Sequence, residues 1–245
     1  MSFDALAPDY DRLRSGGGWQ QVTERSLALL EGATRLIDVG CGTGRFAVLA
    51  HERLGCRVWG IDSSPGMLEQ ARARPGAASI GWRPARAERL PFRAGWFDAA
   101  HLHLVLHLVD DRAAVLAELA RVLAAGGRVV IATFELDHFG VFHLAPYFPS
   151  IERNDRARFP DPDAVVSELT AAGFEQVERI RVSTRVEVEP ATVLERVRAR
   201  YISSLSELDE PEYRDGLERL EREVLAGAGP ALQRAEWCLI SGRRG

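Results

Sequence analysis

The chain has only three cysteines, Cys41, Cys56 and Cys238, and no two of them form a C-x-x-C pair or join a metal-ligand cluster. That excludes a disulfide-stapled fold and offers no metal site, so a reduced, metal-free protein is expected. No apolar stretch approaches the length of a membrane span. The start, Met1-Ser-Phe-Asp-Ala-Leu, lacks the basic residues and apolar run of a signal peptide, and the expected location is the cytoplasm. Charge of one sign is nowhere concentrated. The net charge is −4 with the charges scattered, which argues against a nucleic-acid partner. Internal repeats and low-complexity tracts are also missing. What is present, 245 residues of which 46% are apolar, suffices for one large α/β domain with insertions over 1–245.

The chain is organised around Leu36-Ile37-Asp38-Val39-Gly40-Cys41-Gly42-Thr43-Gly44. Arg35 to Val39 reads as a short buried strand, and a helix with an apolar face begins at Phe46. Glycines at alternate positions between them let the backbone turn sharply and let a ligand lie on it. The free N–H groups of the following helix favour an anionic group there. Cys56 to Ile61 reads as a second strand ending in Asp62, 18 residues beyond Gly44. An acid at that place accepts hydrogen bonds from ribose hydroxyls. The minimal reading is a Rossmann-like unit for an adenosine-containing cofactor. The glycine order is G-x-G-x-G and not the G-x-G-x-x-G of dinucleotide sites, and Asp38 inside the strand would repel a pyrophosphate but attract an ammonium group. An NAD-dependent oxidoreductase is therefore the lesser alternative.

Asp38-Val-Gly40-Cys-Gly42-Thr-Gly44 resembles motif I of the class I S-adenosylmethionine-dependent methyltransferases. Gly60-Ile-Asp62-Ser63-Ser-Pro-Gly-Met67-Leu resembles their segment after the second strand. Glu88-Arg-Leu-Pro-Phe92 with Phe97-Asp98, and Arg121-Val-Leu-Ala-Ala-Gly126-Gly127-Arg, resemble the segments before strands four and five. The pattern is similar to that of the small-molecule group containing the menaquinone- and ubiquinone-pathway enzymes, and it leaves 140–165 and 190–230 poorly covered. The resemblance implies S-adenosylmethionine as cofactor, S-adenosylhomocysteine as product and a small-molecule methyl acceptor. It implies a fold with a seven-stranded, mostly parallel sheet, helices on both faces and an antiparallel last strand beside strand six. It implies cofactor contacts from Asp38, Gly40, Cys41, Gly42, Gly44, Asp62, Ser63, Leu102 and His103, and from an arm at 1–18 carrying Tyr10 and Arg14. Met67 would lie over the adenine in that reading; a core methionine fits as well. Relatives carry an aspartate where Arg86 stands, which Arg86 cannot replace as an acceptor. Adenine recognition then falls to the backbone at Ala87 and Glu88, or Arg86 simply faces solvent. Nucleotide-amine methyltransferases carry Asn- or Asp-Pro-Pro-aromatic after strand four, and His101-Leu102-His103-Leu104 replaces it here.

Along the chain, Gly16-Gly17-Gly18 reads as a hinge, Trp19–Leu30 as a helix, Ser79–Trp82 as strand three and Phe97–Leu104 as strand four. Asp111–Ala124 reads as a helix ended by Ala125-Gly126-Gly127, with strand five at Arg128–Phe134. Segment 135–160 mixes Phe139, Phe142, Tyr147, Phe148 and Phe159 with prolines and histidines, and reads as a loop-rich substrate lid or a side cluster. A helix at Pro162–Ala172, strand six at Phe174–Val188, helices over 190–226 and a strand at Glu236–Gly242 complete the core. The 190–230 helices would cap the site or make a homodimer contact. For catalysis two mechanisms stand open: alignment of an acceptor that is already nucleophilic, or proton removal by His103 or His107. A cofactor-binding regulatory or scaffold protein without catalysis would share the same core sequence.

Overall fold

The computed structural model describes residues 3–14 and 18–245, without the side chains of Phe3 and Ala5. Of the glycine hinge expected at Gly16–Gly18, only Gly18 lies among the described residues. The arm forms α1 (Phe3–Leu6), a 3₁₀ turn at Ala7–Asp9 and α2 (Tyr10–Leu13). Then come α3 (Trp19–Leu29), β1 (Arg35–Val39), α4 (Arg45–Leu54), β2 (Arg57–Asp62), α5 (Pro65–Ala73), β3 (Gly81–Pro84) and β4 (Phe97–His103). The second half runs α6 (Arg112–Val122), β5 (Leu123–Phe134), α7 (Ser150–Arg158), α8 (Pro162–Ala171), β6 (Phe174–Glu187), α9 (Pro190–Arg198), α10 (Ser203–Ser206), α11 (Glu210–Leu225) and β7 (Leu232–Arg244). No helix among the described residues is long and apolar enough to cross a membrane.

Seven strands form one sheet in the order β3-β2-β1-β4-β5-β7-β6. All neighbours are parallel except β7, which runs antiparallel to both β5 and β6. Chain order reverses between β1 and β4, so the carboxyl ends of these two strands open a crevice where such sheets bind ligands. Alternate residues feed two cores. Ile37, Val39, Leu102 and Ile131 face α6 and α8, while Leu36, Ala99, Val130 and Leu239 face α3 and α4. A third core joins Leu6 and Leu13 of the arm to Phe148 and Ile151 of the first insertion and Val197, Tyr201 and Leu220 of the second. The apolar faces of α9 and α11 are therefore turned inward onto a common roof.

Local chemistry sets the helix starts. Ser64 caps α5 by accepting from Met67 N, with Pro65 in the first turn; Asp111, Asp161 and Asp209 cap α6, α8 and α11 in the same way. Three expectations need correction. Strand three starts at Gly81 and not Ser79, because Ala77–Ser79 closes a 3₁₀ turn. Helix α6 ends at Val122, not at Ala124, because Leu123 already pairs with Phe97 on β4; Gly126, at φ +75°, lies in a bulge of β5 and is no helix cap. Segment 135–160 is not mainly loop: it contains a 3₁₀ stretch at Leu136–Val141 and α7.

Candidate active site

The site begins with two strand residues that face each other. Asp38 on β1 and His101 on β4 are register partners, and the Asp38 Oδ1 to His101 Nδ1 distance is 2.8 Å. Phe46, in the first turn of α4, stacks on the imidazole at 3.4 Å between ring centres. Burial disfavours the charged form of each group, pushing the Asp38 carboxyl well up and the His101 imidazole down to about 3. The imidazole is thus neutral, and its Nδ1 shares one hydrogen bond with Asp38 Oδ1. Asp38 Oδ2 is left buried with no partner among the described residues. A cation arriving at that oxygen would restore the carboxylate.

Above Asp38 the glycine turn is tied to β2. Gly40 N and Cys41 N both donate to Ile61 O, at 2.7 and 2.9 Å. Asp62 accepts from Gly42 N at 2.8 Å through one oxygen and from Ser64 N at 2.9 Å through the other. Gly40 has φ +68°, and a Cβ there would lie 2.4 Å from Val105 Cγ2; Gly44 has φ +77°, and a Cβ would meet Trp82 at 2.5 Å. Only glycine satisfies both demands. Gly44, the N-cap of α4, has no side chain to cap the helix, so its first N–H groups remain available to an anion.

The arm is fastened to this turn. Asp11 accepts from Thr43 Oγ1 at 2.7 Å and pairs with Arg74, whose Nε donates to Thr43 O. Asp4 accepts from Ser64 Oγ and Gly66 N, at 2.6 and 2.8 Å. Arg14 donates through Nε to Tyr201 O and through Nη1 to Tyr10 Oη, both at 3.0 Å, which brings the arm to the second insertion. Arg45 lies 3.9 Å from the centre of the Trp19 ring.

Beyond His103 the crevice widens into a cavity of about 250 Å³, far more than a trapped water needs. Its walls carry Phe134, Phe139, Phe142, Phe159, Tyr201 and Trp237, together with His103, His107, His138 and His143. His107 stacks on Phe159 at 3.9 Å and His138 on Phe134 at 4.0 Å. Burial pushes His103 and His107 down to about 3, which weakens each imidazole as a base near neutral pH. On the roof, Asp155 accepts from Ser204 Oγ at 2.7 Å and from Arg158 Nη2 at 2.6 Å, clasping α7 to α10.

Of the expected site residues, Tyr10, Arg14, Asp38, Gly40, Cys41, Gly42, His103 and His107 line this one cavity. Gly44 and Asp62 flank it through the turn. Ser63 follows Asp62, and Ala87 and Glu88 lie past the end of β3 on the same sheet edge, outside the cavity wall. Glu88 is engaged with Arg86 and Asp110 N, and Arg86 is exposed. Met67 is a core residue at 2% exposure, and Leu102 is fully buried on the face opposite His101, because strand side chains alternate. Arg45, Trp237, Gln233, Asp155 and Arg158 also line the cavity and carry no motif. Arg45 alone had a signal, its place directly after Gly44.

A methyltransferase-domain family model matches residues 37–131. A malonyl-[acyl-carrier protein] O-methyltransferase of Herminiimonas arsenicoxydans is 37% identical over 182 residues, 73% of this chain and 66% of that protein. The chain thus spans slightly less than two thirds of that relative. A demethylmenaquinone methyltransferase of Thermus thermophilus is 35% identical over 199 residues, covering 70% of this chain and 90% of the relative. Among solved structures, one described as a methyltransferase from an antibiotic biosynthesis pathway of Anabaena variabilis has TM-score 0.74 at 19% identity, over 93% of this chain and 98% of that one. Phosphoethanolamine N-methyltransferase 2 of Haemonchus contortus, solved with S-adenosyl-L-methionine, has TM-score 0.62 at 20% identity, over 98% of this chain and 57% of that one. At those identities the structures establish the fold alone.

Proposed function

The chain belongs to the class I S-adenosylmethionine-dependent methyltransferases that act on small molecules, and we propose that Asp38, the Gly40–Gly44 turn and Asp62 hold the cofactor while the aromatic cavity holds the acceptor. The observation that carries this is the buried, unpartnered Asp38 Oδ2 under the glycine turn. It suits an ammonium, and the uncapped start of α4 with Arg45 suits the carboxylate of the same amino-acid group. Asp62 keeps lone pairs for ribose hydroxyls after its two backbone contacts. Bound there, S-adenosylmethionine supplies an activated methyl on a sulfonium.

The protein's own task is then alignment and exclusion of water. His103 and Leu104 at the end of β4 form the wall beside the reacting region, and Phe134, Phe159 and Trp237 suit a flat, largely apolar acceptor. Tyr10 and Arg14 close the cavity from the arm, and the insertions 135–160 and 190–230 supply its roof. The whole of 1–245 acts as one domain in this reading, and three free cysteines suit a reducing compartment such as the cytoplasm.

Titration calorimetry with S-adenosylmethionine, S-adenosylhomocysteine and NAD tests the cofactor assignment. Binding of the first two and not of NAD is expected. NAD binding without a response to S-adenosylhomocysteine would overturn it. Methyl transfer from radiolabelled S-adenosylmethionine to any member of an acceptor panel separates an enzyme from a binding-only protein.

A further inference from the structure

We propose that Asp38 is uncharged before the cofactor docks and gives its proton to bulk solvent when the ammonium reaches it, so that cofactor binding releases one proton. This rests on the reading of Asp38 as the ammonium site. Asp38 and His101 share a single hydrogen bond between two enclosed side chains, the imidazole 0% and the carboxyl 3% exposed. Asp38 Oδ2 and His101 Nε2 are both buried without a partner among the described residues. An ion pair here would strand a carboxylate oxygen and an imidazolium N–H away from water. A carboxylate beside a neutral ring would be a buried anion held by one N–H. The neutral pair, a carboxylic acid beside a neutral imidazole, strands no charge and keeps the bond whichever of the two donates.

The surroundings supply no positive charge to hold the carboxylate. On β4 the facing group is His101, and on β2 the register partner is Gly60, which has no side chain. Helix α4 contributes Phe46, stacked on the imidazole. The turn and the end of β2 contribute Cys41 and Asp62, and the charge of Asp62 opposes a second anion beside it. Arg14 and Arg45, which line the cavity, bear on His103 further along β4, whereas burial alone acts on the Asp38 carboxyl and pushes it well above the usual range. An ammonium within reach of Oδ2 reverses the balance, because an opposite charge favours the ionised form. The carboxyl O–H bond then breaks, its electron pair stays on oxygen, and the proton passes to the solvent buffer. The ammonium keeps its own protons. Affinity for the cofactor therefore falls as pH drops, since protons compete with the ammonium for the same carboxylate.

The test is titration of the full chain with S-adenosylhomocysteine at about pH 6.5, far above an ordinary carboxyl, in buffers of different ionisation enthalpy. The observed enthalpy is expected to follow the buffer enthalpy with a slope of about one proton released per ligand bound. Affinity is expected to rise by up to about 10-fold per pH unit between about pH 5.5 and 7. In Asp38→Asn the slope is expected to vanish. Infrared difference spectra are expected to show a protonated-carboxyl C=O band that is lost on binding and is missing from Asp38→Asn. A slope near zero, proton uptake, or a slope that survives in Asp38→Asn overturns the proposal, and the first two are read on the unaltered chain even if the variant does not fold. If the unaltered chain does not bind S-adenosylhomocysteine, the cofactor assignment fails instead. The free protein's own infrared spectrum then still decides the state of Asp38: absence of a protonated-carboxyl band at about pH 6.5 overturns the proposal.

Discussion

Asp38 on β1 and His101 on β4 share one hydrogen bond across the point where the sheet changes direction, and each leaves its other polar atom without a partner among the described residues. The relationship orients the carboxylate. With Oδ1 held by the imidazole and the ring clamped on Phe46, Oδ2 has one position under the glycine turn. Asp38→Asn keeps the shape and removes the charge that attracts the ammonium. Its affinity for S-adenosylhomocysteine should fall by about 1.5–3 kcal/mol, the worth of a charged hydrogen bond. Calorimetry measures this, and thermal unfolding of the ligand-free protein checks that the fold survives. Unchanged affinity would place the ammonium elsewhere.

The nucleotide-binding half was legible because its constraints are local. The alternate glycines, the acid two residues before them and Asp62 must occur close together for a backbone to pass under a ligand, so they mark the sequence. Ser64-Pro65 announced α5 for the same reason. The acceptor half was not legible. Trp237, Arg158, Tyr201 and Arg14 come from β7, α7, the second insertion and the arm, and only the roof packing brings them to one cavity. The lowered basicity of His103 and His107 was not legible either, because burial, its cause, is a property of the fold and not of the residue. Motif position put Leu102 and Met67 near the cofactor, with a core methionine the open alternative; the strand alternation and helix packing that bury both side chains leave no mark in the motif.

Five histidines, His101 and His138 buried and His103, His107 and His143 half-buried on the cavity wall, predict acid sensitivity. His101, His103, His107 and His143 are pushed down to about 3 and His138 to about 4, all by burial. Their folded-state values lie below the unfolded one, so the unfolded chain binds more protons wherever pH is below about 6.5. Stability should be level above that pH and fall as pH drops, by about 1.4 kcal/mol per unit for each histidine once the unfolded form is protonated. The raised carboxyls of Asp38, Asp62 and Asp155 act in the opposite sense, favouring the fold at low pH, but are fewer. Urea unfolding from pH 8 to pH 5 checks the slope. A flat profile would mean that the imidazoles are not held dry.

If the arm and the two insertions form one roof, they should respond together to ligand. Leu6 and Leu13, Phe148 and Ile151, and Val197 and Leu220 share a core, and Asp155, Arg158 and Ser204 clasp α7 to α10. Hydrogen exchange with and without S-adenosylhomocysteine should show joint protection of 3–14, 135–160 and 190–230. Arg158→Met removes the contacts of Arg158 with Ser203, Ser204 and Glu207, leaves the Ser204–Asp155 bond, and should raise exchange in α7 and α10 while leaving 36–68 unaffected. Protection confined to 36–68 would leave the roof as packing only.

The last prediction concerns the two cavity histidines. A general base is worth about 10²–10⁴-fold, and a group whose pKa lies near 3 is a weak one at neutral pH. His103 lines the wall beside the end of β4, and His107 is stacked on Phe159. His103→Gln and His107→Gln should therefore lower kcat/KM by less than about 10-fold, well short of the loss of a base. The pH profile should carry no acidic limb from the enzyme between about pH 5.5 and 9, a range centred on the free imidazole. Any limb in that range should move with the ionisation of the acceptor when acceptors of different acidity are compared. A loss beyond about 100-fold in one variant, together with disappearance of a limb that stays fixed across acceptors, would assign that histidine as the base and end the case for alignment alone.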